Sequence, residues 1–282
     1  MVTRTAFIAA LGLSLIVTAN PSPAAPLYED TFAAGATYSA SSPAGPYTAA
    51  DETIGGTWTA GSGVLTYSRP NSGRDPQYRY STSLLLTNGS TPATGSTAGL
   101  TDFTVRGVIR NVPADNTAQP GLVVSGSREQ GGYVLTVDNG RGNEFALLAV
   151  NGEQILGDEG TPQEVVMSFG KPTRGDSYAI AVTVHRPPGG AAHPSFDVTI
   201  TSVGPTNAGT LYDGSFTDTV RTASFGGSQI GYRVRNPLDG DAPAFGTLSL
   251  SVPEPQSLGL LGVLGLASRR RSFRPDRRTA TD

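Results

Sequence analysis

The chain of 282 residues contains no cysteine, a single tryptophan (Trp58), a single lysine (Lys171) and two methionines. Without cysteine there is no disulfide framework and no thiolate chemistry. Charged residues make up only 15% of the chain, and no apolar run reaches the roughly 17–25 residues that a membrane-spanning helix needs. With two histidines, His185 and His193, there is no zinc spacing, and a Ser-His-Asp triad would have to use one of these two. Residues 26–252 carry 13 Lys+Arg against 20 Asp+Glu, a net −7. A net negative body argues against nucleic acid as a partner, since such binding needs basic patches that neutralise phosphates.

Glycine (36) and proline (21) are plentiful, and the stretches between them alternate. Phe103, Val105, Gly107 and Ile109 interleave with Thr104, Arg106, Val108 and Arg110. Tyr178–His185, Phe196–Thr201, Ile230–Arg235 and Leu248–Val252 follow the same rule. A period of two, with one apolar and one polar face, marks half-buried antiparallel strands. No long stretch between residues 26 and 252 has a helical period. Asn151-Gly152, between FALLAV and EQIL, has the chemistry of a type I′ hairpin turn. Asp138–Asn143 reads as a longer hairpin loop between YVLTV and EFALLAV. Asn88-Gly89, Asp213-Gly214 and Asp239-Gly240 read as punctuation between other strands. Residues 34–52 and 87–99 read as loops. About twelve to fourteen strands are too many for one open sheet, so the expectation is an all-β, two-sheet antiparallel sandwich over residues 26–252. The segments YEDTF, TWTAGSGVLTYSR, DFTVRGVIRN, GGYVLTVDNG, FALLAVNGEQIL, YAIAVTVHR, FDVTITSV, GGSQIGYRVRN and FGTLSLSV together resemble a concanavalin A-like, laminin G-like jelly roll.

The two ends read as addresses. Arg4, the apolar stretch Ala6–Ala19 and the small-residue motifs Val17-Thr18-Ala19 and Ser22-Pro23-Ala24 have the form of a secretory signal peptide, residues 1–24, cut by signal peptidase. At the other end Pro253-Glu254-Pro255, the short apolar segment 258–267 and the cluster Arg269, Arg270, Arg271 follow one another in that order. This arrangement, residues 253–272, resembles the PEP-CTERM sorting tail of Gram-negative envelope proteins; ten polar residues, 273–282, extend beyond it. The resemblance implies transient membrane association through 258–267, recognition and tail removal by an exosortase, and a final place in the envelope, on the outer surface or in the extracellular matrix.

Catalytic constellations are sparse. A retaining glycosidase places two carboxylates about 5–5.5 Å apart. Glu29-Asp30, Asp51-Glu52 and Asp158-Glu159 are adjacent pairs that point to opposite faces of an extended strand. There is no Gly-x-Ser-x-Gly elbow, and both histidines read as solvated. Asn236, Asp239 and Asp241 crowd one turn, the hard-oxygen chemistry that suits Ca²⁺ and also ordinary turn chemistry. Trp58 is a candidate sugar-stacking platform, although its TWTAGSGVLTY setting reads more readily as core. The expectation is a non-enzymatic exported protein that binds glycan or contributes to exopolysaccharide structure. The alternatives are a divergent polysaccharide hydrolase or lyase on the jelly roll, and a purely structural surface protein with no small ligand.

Overall fold

The computed structural model describes residues 25–38, 47–50, 56–68, 81–86, 91–112, 118–127, 129–138, 144–152, 164–204, 208–235 and 243–253. Apart from one 3₁₀ turn at Pro92–Thr94, the elements found there are strands. In chain order they are β1 (Tyr28–Asp30), β2 (Ala36–Tyr38), β3 (Tyr47–Ala50), β4 (Thr57–Gly61), β5 (Val64–Ser68), β6 (Ser81–Leu86), β7 (Asp102–Arg110) and β8 (Gln119–Ser127). There follow β9 (Gly131–Asp138), β10 (Glu144–Val150), β11 (Glu164–Gly170), β12 (Tyr178–His185), β13 (Ser195–Ser202), β14 (Gly209–Thr217), β15 (Gln229–Arg235) and β16 (Ala244–Ser251). They form two sheets in which every pairing is antiparallel. The first runs β14-β13-β12-β7-β16-β5-β4-β2, with β1 added beside β16; the second runs β11-β10-β9-β8-β15-β6-β3. This is the two-sheet sandwich that the alternation demands.

The inner faces meet in one core. Phe103, Val105 and Ile109 of β7, Val182 and Val184 of β12 and Phe196, Val198 and Ile200 of β13 are fully buried. They face Leu122, Tyr133, Leu135, Phe145 and Tyr232 of the second sheet within the same cluster. Removing that apolar area from water is the main force that closes the sandwich. A second, smaller cluster, Leu85, Val123, Val134, Ala146, Leu148 and Val150, occupies the opposite phase of the second sheet's alternation. β8, β9 and β10 are therefore buried on both faces, which explains why GLVV and FALLAV are nearly continuous apolar runs rather than alternating ones.

Three turn assignments change. The Asn151-Gly152 hairpin is not formed: β10 pairs onward with β11, which begins at Glu164, and neither Asn151 nor Gly152 is among the described positive-φ residues. EQIL lies outside the described residues. The two-residue turn of that kind occurs instead at Ser62-Gly63, where φ is 53° and 78° and β4 folds directly onto β5 with Gly61 opposite Val64. Asp213-Gly214 does not break the chain but lies inside β14, opposite Thr199 and Val198. Residues 34–52, expected to be a loop, contribute the edge strands β2 and β3. The hairpin expected around Asp138–Asn143 is present, with Glu144 opposite Asp138.

Candidate ligand groove on the nine-stranded sheet

The outward face of the first sheet follows from the same alternation. On β7 the outward positions are 102, 104, 106, 108 and 110; on β12 they are 179, 181, 183 and 185; on β13 they are 195, 197, 199 and 201. The register aligns them in rows. Glu29 lies opposite Ser249, Ser249 opposite Arg106, Arg106 opposite Ala181 and Ala181 opposite Thr199. One row along, Val108 lies opposite Ala179 and Ala179 opposite Thr201.

A break in the ladder shapes this face. The register between β7 and β16 shifts between Phe245 and Leu248, a β-bulge at Gly246-Thr247. The backbone groups freed there are satisfied from below, by the opposite sheet. The Tyr232 hydroxyl accepts from Val108 N at 3.0 Å and offers its proton to Thr247 O at 2.9 Å and Gly246 O at 3.1 Å. It reaches the strand because Gly107 has no side chain: a Cβ there would lie 2.7 Å from Leu122 and 2.8 Å from the Tyr232 hydroxyl. Burial pushes the pKa of that hydroxyl far up, so it stays protonated.

Above the bulge lies a groove of about 390 Å³. Its floor is Gly107, Val108, Ala179 and Ala181; Thr199, Thr201, Thr247 and Ser249 supply hydroxyls, and Arg106 and Glu29 supply the charges. The Arg106 guanidinium donates from Nη1 to Ser251 Oγ at 2.7 Å, which fixes it along the face. No lining residue is aromatic, and Glu29 is the one carboxylate among them. Asp30, its neighbour in sequence, turns the other way and accepts from Tyr47 Oη at 2.9 Å, as adjacent positions in a strand must. Tyr47 and Tyr28 share a further hydrogen bond of 2.8 Å, and desolvation pushes the Tyr28 hydroxyl up to about 12.

Toward one end of the same face His185 bridges two carboxylates. Nδ1 lies 2.7 Å from Asp102 Oδ1 and Nε2 2.8 Å from Asp197 Oδ2. Ser215 donates to Asp197 at 2.5 Å, and Thr101 donates to Asp102 at 3.0 Å. The Asp197 bond, and then that of Asp102, raise the histidine's pKa against the opposing effect of burial. Asp102 is held low chiefly by His185, and Asp197 by Ser215 and then His185. The serine touches a carboxylate and not the imidazole, so this is no nucleophile–base pair. His185 is thus not simply solvated, and His193 is held by the backbone, its Nδ1 2.7 Å from Arg221 O. At the same end Asp218, almost fully buried, accepts from Tyr133 Oη, Arg221 Nη1 and the amides of Val220 and Arg221, while Arg221 reaches Glu164 of β11. This clasp joins the two sheets.

The residues singled out in the sequence fare differently. Trp58 is fully buried, packed 5.1 Å from Tyr67 and 5.7 Å from Phe245 between ring centroids, so it offers no ring face to a sugar. Stacking by Trp58 is thereby corrected: the ring fills the core. Asn236, Asp239 and Asp241 lie outside the described residues, and among the described residues no three His, Cys, Asp or Glu side chains gather to hold a metal. Pro253 is exposed just after β16; Glu254, Pro255, the segment 258–267, Arg269, Arg270, Arg271 and the signal segment 1–24 lie outside the described residues. Among the described residues no helix is long and apolar enough to cross a membrane. The groove escaped sequence reading because it depends on which strands become neighbours and on the bulge; only the paired Ala179/Ala181 and Thr199/Thr201 hinted at it.

No protein-family model matches the chain, and no curated protein does. Among solved structures, the chain is similar to the CBM2 module of the evolved Dit of Lactobacillus casei BL23 phage J-1, with 11% identity and a TM-score of 0.47 over 80% of this chain and 94% of that one. It is also similar to the exoplasmic/lumenal domain of VIP36 in its Ca²⁺/Man2-bound form, with 9% identity and a TM-score of 0.46 over 75% and 82% of the two chains. A third is the xylan β-1,4-xylosidase of Bacillus halodurans C-125, with 11% identity and a TM-score of 0.40; the match covers 84% of this chain but only 41% of the xylosidase.

Proposed function

We propose that this chain is an exported, non-enzymatic protein of the bacterial envelope or extracellular matrix that holds a glycan in the groove over β7, β12 and β13. The groove carries the reading: a strip of small apolar residues flanked by hydroxyls, with Arg106 and Glu29 at hand, offers both donors and acceptors to a polyhydroxylated ligand. The concanavalin A-like reading of the sandwich fits such a role, as a fold-level analogy. Export rests on the signal-peptide form of residues 1–24 and on the PEP-CTERM-like tail, through which an exosortase would act at Pro253-Glu254-Pro255. The single carboxylate among the lining residues supports binding over hydrolysis, because two-carboxylate glycosidases need a second one across the bond. Affinity electrophoresis through gels containing exopolysaccharide tests the binding: the protein should be retarded, and Arg106→Ala should be retarded less. Reducing ends released from the same polysaccharides would contradict the non-enzymatic part.

A further inference from the structure

The groove also limits what kind of glycan it can take. It is built from five neighbouring strands, β1, β16, β7, β12 and β13. At about 4.8 Å between strands it extends roughly 19 Å across the sheet, the reach of a short oligomer rather than of one ring. Its floor at Ala179 and Ala181 has no side chain tall enough to interrupt a chain laid across it, and no aromatic ring on which a single sugar could stack. Hydroxyls sit beside that floor, from Thr199 and Thr201 on one side and Ser249 and Thr247 on the other. The charge on this face is not basic. Arg106, Arg110 and His185 stand against Glu29, Asp102, Asp197 and Asp213, and Asp213 already accepts from Thr199 Oγ1 at 3.1 Å. A polyanion would find no net positive charge there to hold it.

Resting on the glycan reading above, we infer that the groove takes a neutral, unbranched chain of equatorially linked pyranoses, lying flat across the strands. Equatorial linkages keep successive rings in one ribbon, with their C–H faces toward the alanine floor and their hydroxyls directed sideways to the threonines and serines. Axially linked chains coil away from a flat floor, and a branch on the ring face turned to the floor would collide with the sheet. Binding is then carried by several hydrogen bonds and modest apolar contact, so affinity should grow with chain length up to the span of the five strands.

The experiment is titration calorimetry of the purified protein with hexasaccharides of a neutral β-1,4-linked glucan, xylan and mannan, set against maltohexaose and hexagalacturonate. At least one neutral β-1,4 ligand should bind about tenfold or more tighter than maltohexaose and hexagalacturonate. Ala181→Phe, which raises a wall in the floor, should weaken that ligand about tenfold with an unchanged melting temperature; Thr201→Ala, a smaller change, should weaken it less. If maltohexaose or hexagalacturonate binds as well or better and Ala181→Phe still weakens it, the inference about linkage and charge falls while the groove remains a glycan site. If neither variant changes binding, or no glycan binds, the groove reading itself falls.

Discussion

At the residue scale, most of the polar chemistry of the sandwich replaces backbone bonds that the strands cannot make or ties strands together across the face. Tyr232 is the clearest case of the first. Its hydroxyl fills the opening at the β7–β16 bulge, and removing it in Tyr232→Phe leaves Val108 N and a carbonyl of Gly246 or Thr247 without a partner. A buried polar group so orphaned costs about 1–3 kcal/mol. Urea unfolding should show that loss, and an unchanged midpoint would mean the bulge is satisfied in another way. His185 is a case of the second kind. Its raised pKa stabilises the fold below the unfolded value of 6.5, and this contribution fades as pH rises through the folded value. The lowered pKa values of Asp102 and Asp197 stabilise above the unfolded value of 3.8 and lose effect as pH falls through their folded values. Both conditions hold between about pH 4 and 6.5. The parent should therefore exceed His185→Gln in melting temperature most near pH 5, with the gap closing toward pH 8. Because all three side chains are at least a third exposed, solvent screening limits the effect to about 0.5–1 kcal/mol.

At the scale of elements, the strands were legible and the turns only partly so. β7, β12 and β13 stand where the alternation puts them, because a strand buried on one face must repeat every second residue. The second burial face of β8–β10 was not legible, since a continuous apolar run does not say what lies on its far side. Asn-Gly at 151–152 has the right chemistry for a tight hairpin, yet turn chemistry permits a turn without dictating that the flanking strands pair. Ser62-Gly63 is the less obvious dipeptide, but it joins two strands that neighbour each other in the sheet, so the tight turn falls there. Gly63 at φ 78° has space around a Cβ, the nearest atom being Thr31 O at 3.8 Å. Gly63→Val should thus act through the backbone alone, at about 1–3 kcal/mol, because a β-branched residue resists the left-handed region. Gly35→Val, where nothing lies within 4 Å and φ is ordinary, is the control and should leave the melting temperature nearly unchanged. Equal losses in both variants would show that the turn is not what fixes this hairpin.

At the scale of the whole molecule, both ends of the sandwich meet in the middle of one sheet. The last strand, β16, pairs along its length with β7, and its other edge is shared: β5 takes Ala244 and Phe245, β1 takes Leu248 to Leu250. Leu27 N adds one more bond, to Leu250 O at 2.7 Å, and Asp30 ties β1 to Tyr47 of the opposite sheet. Among the described residues, the pairing around β16 thus runs from Leu27 to Ser251. The candidate processing points lie just beyond these limits, in the small residues up to Ala24 and at Pro253-Glu254-Pro255. Residues 26–252 alone should then fold as a nearly all-β domain, with a strand-type far-UV circular dichroism spectrum, and should melt at the same temperature as a longer chain that keeps its tail. Starting instead at residue 33 removes β1, the Leu27 bond, the Asp30 clasp and the buried Phe32 ring, and exposes the edge of β16 at Leu248–Leu250. That chain should melt several degrees lower, because unpaired strand edges and orphaned groups such as the Tyr47 hydroxyl each cost stability. If the chain from 33 melts with the parent, β1 is an ornament on the sheet rather than part of it. If residues 26–252 fail to fold while the longer chain succeeds, the ends contribute to the fold itself.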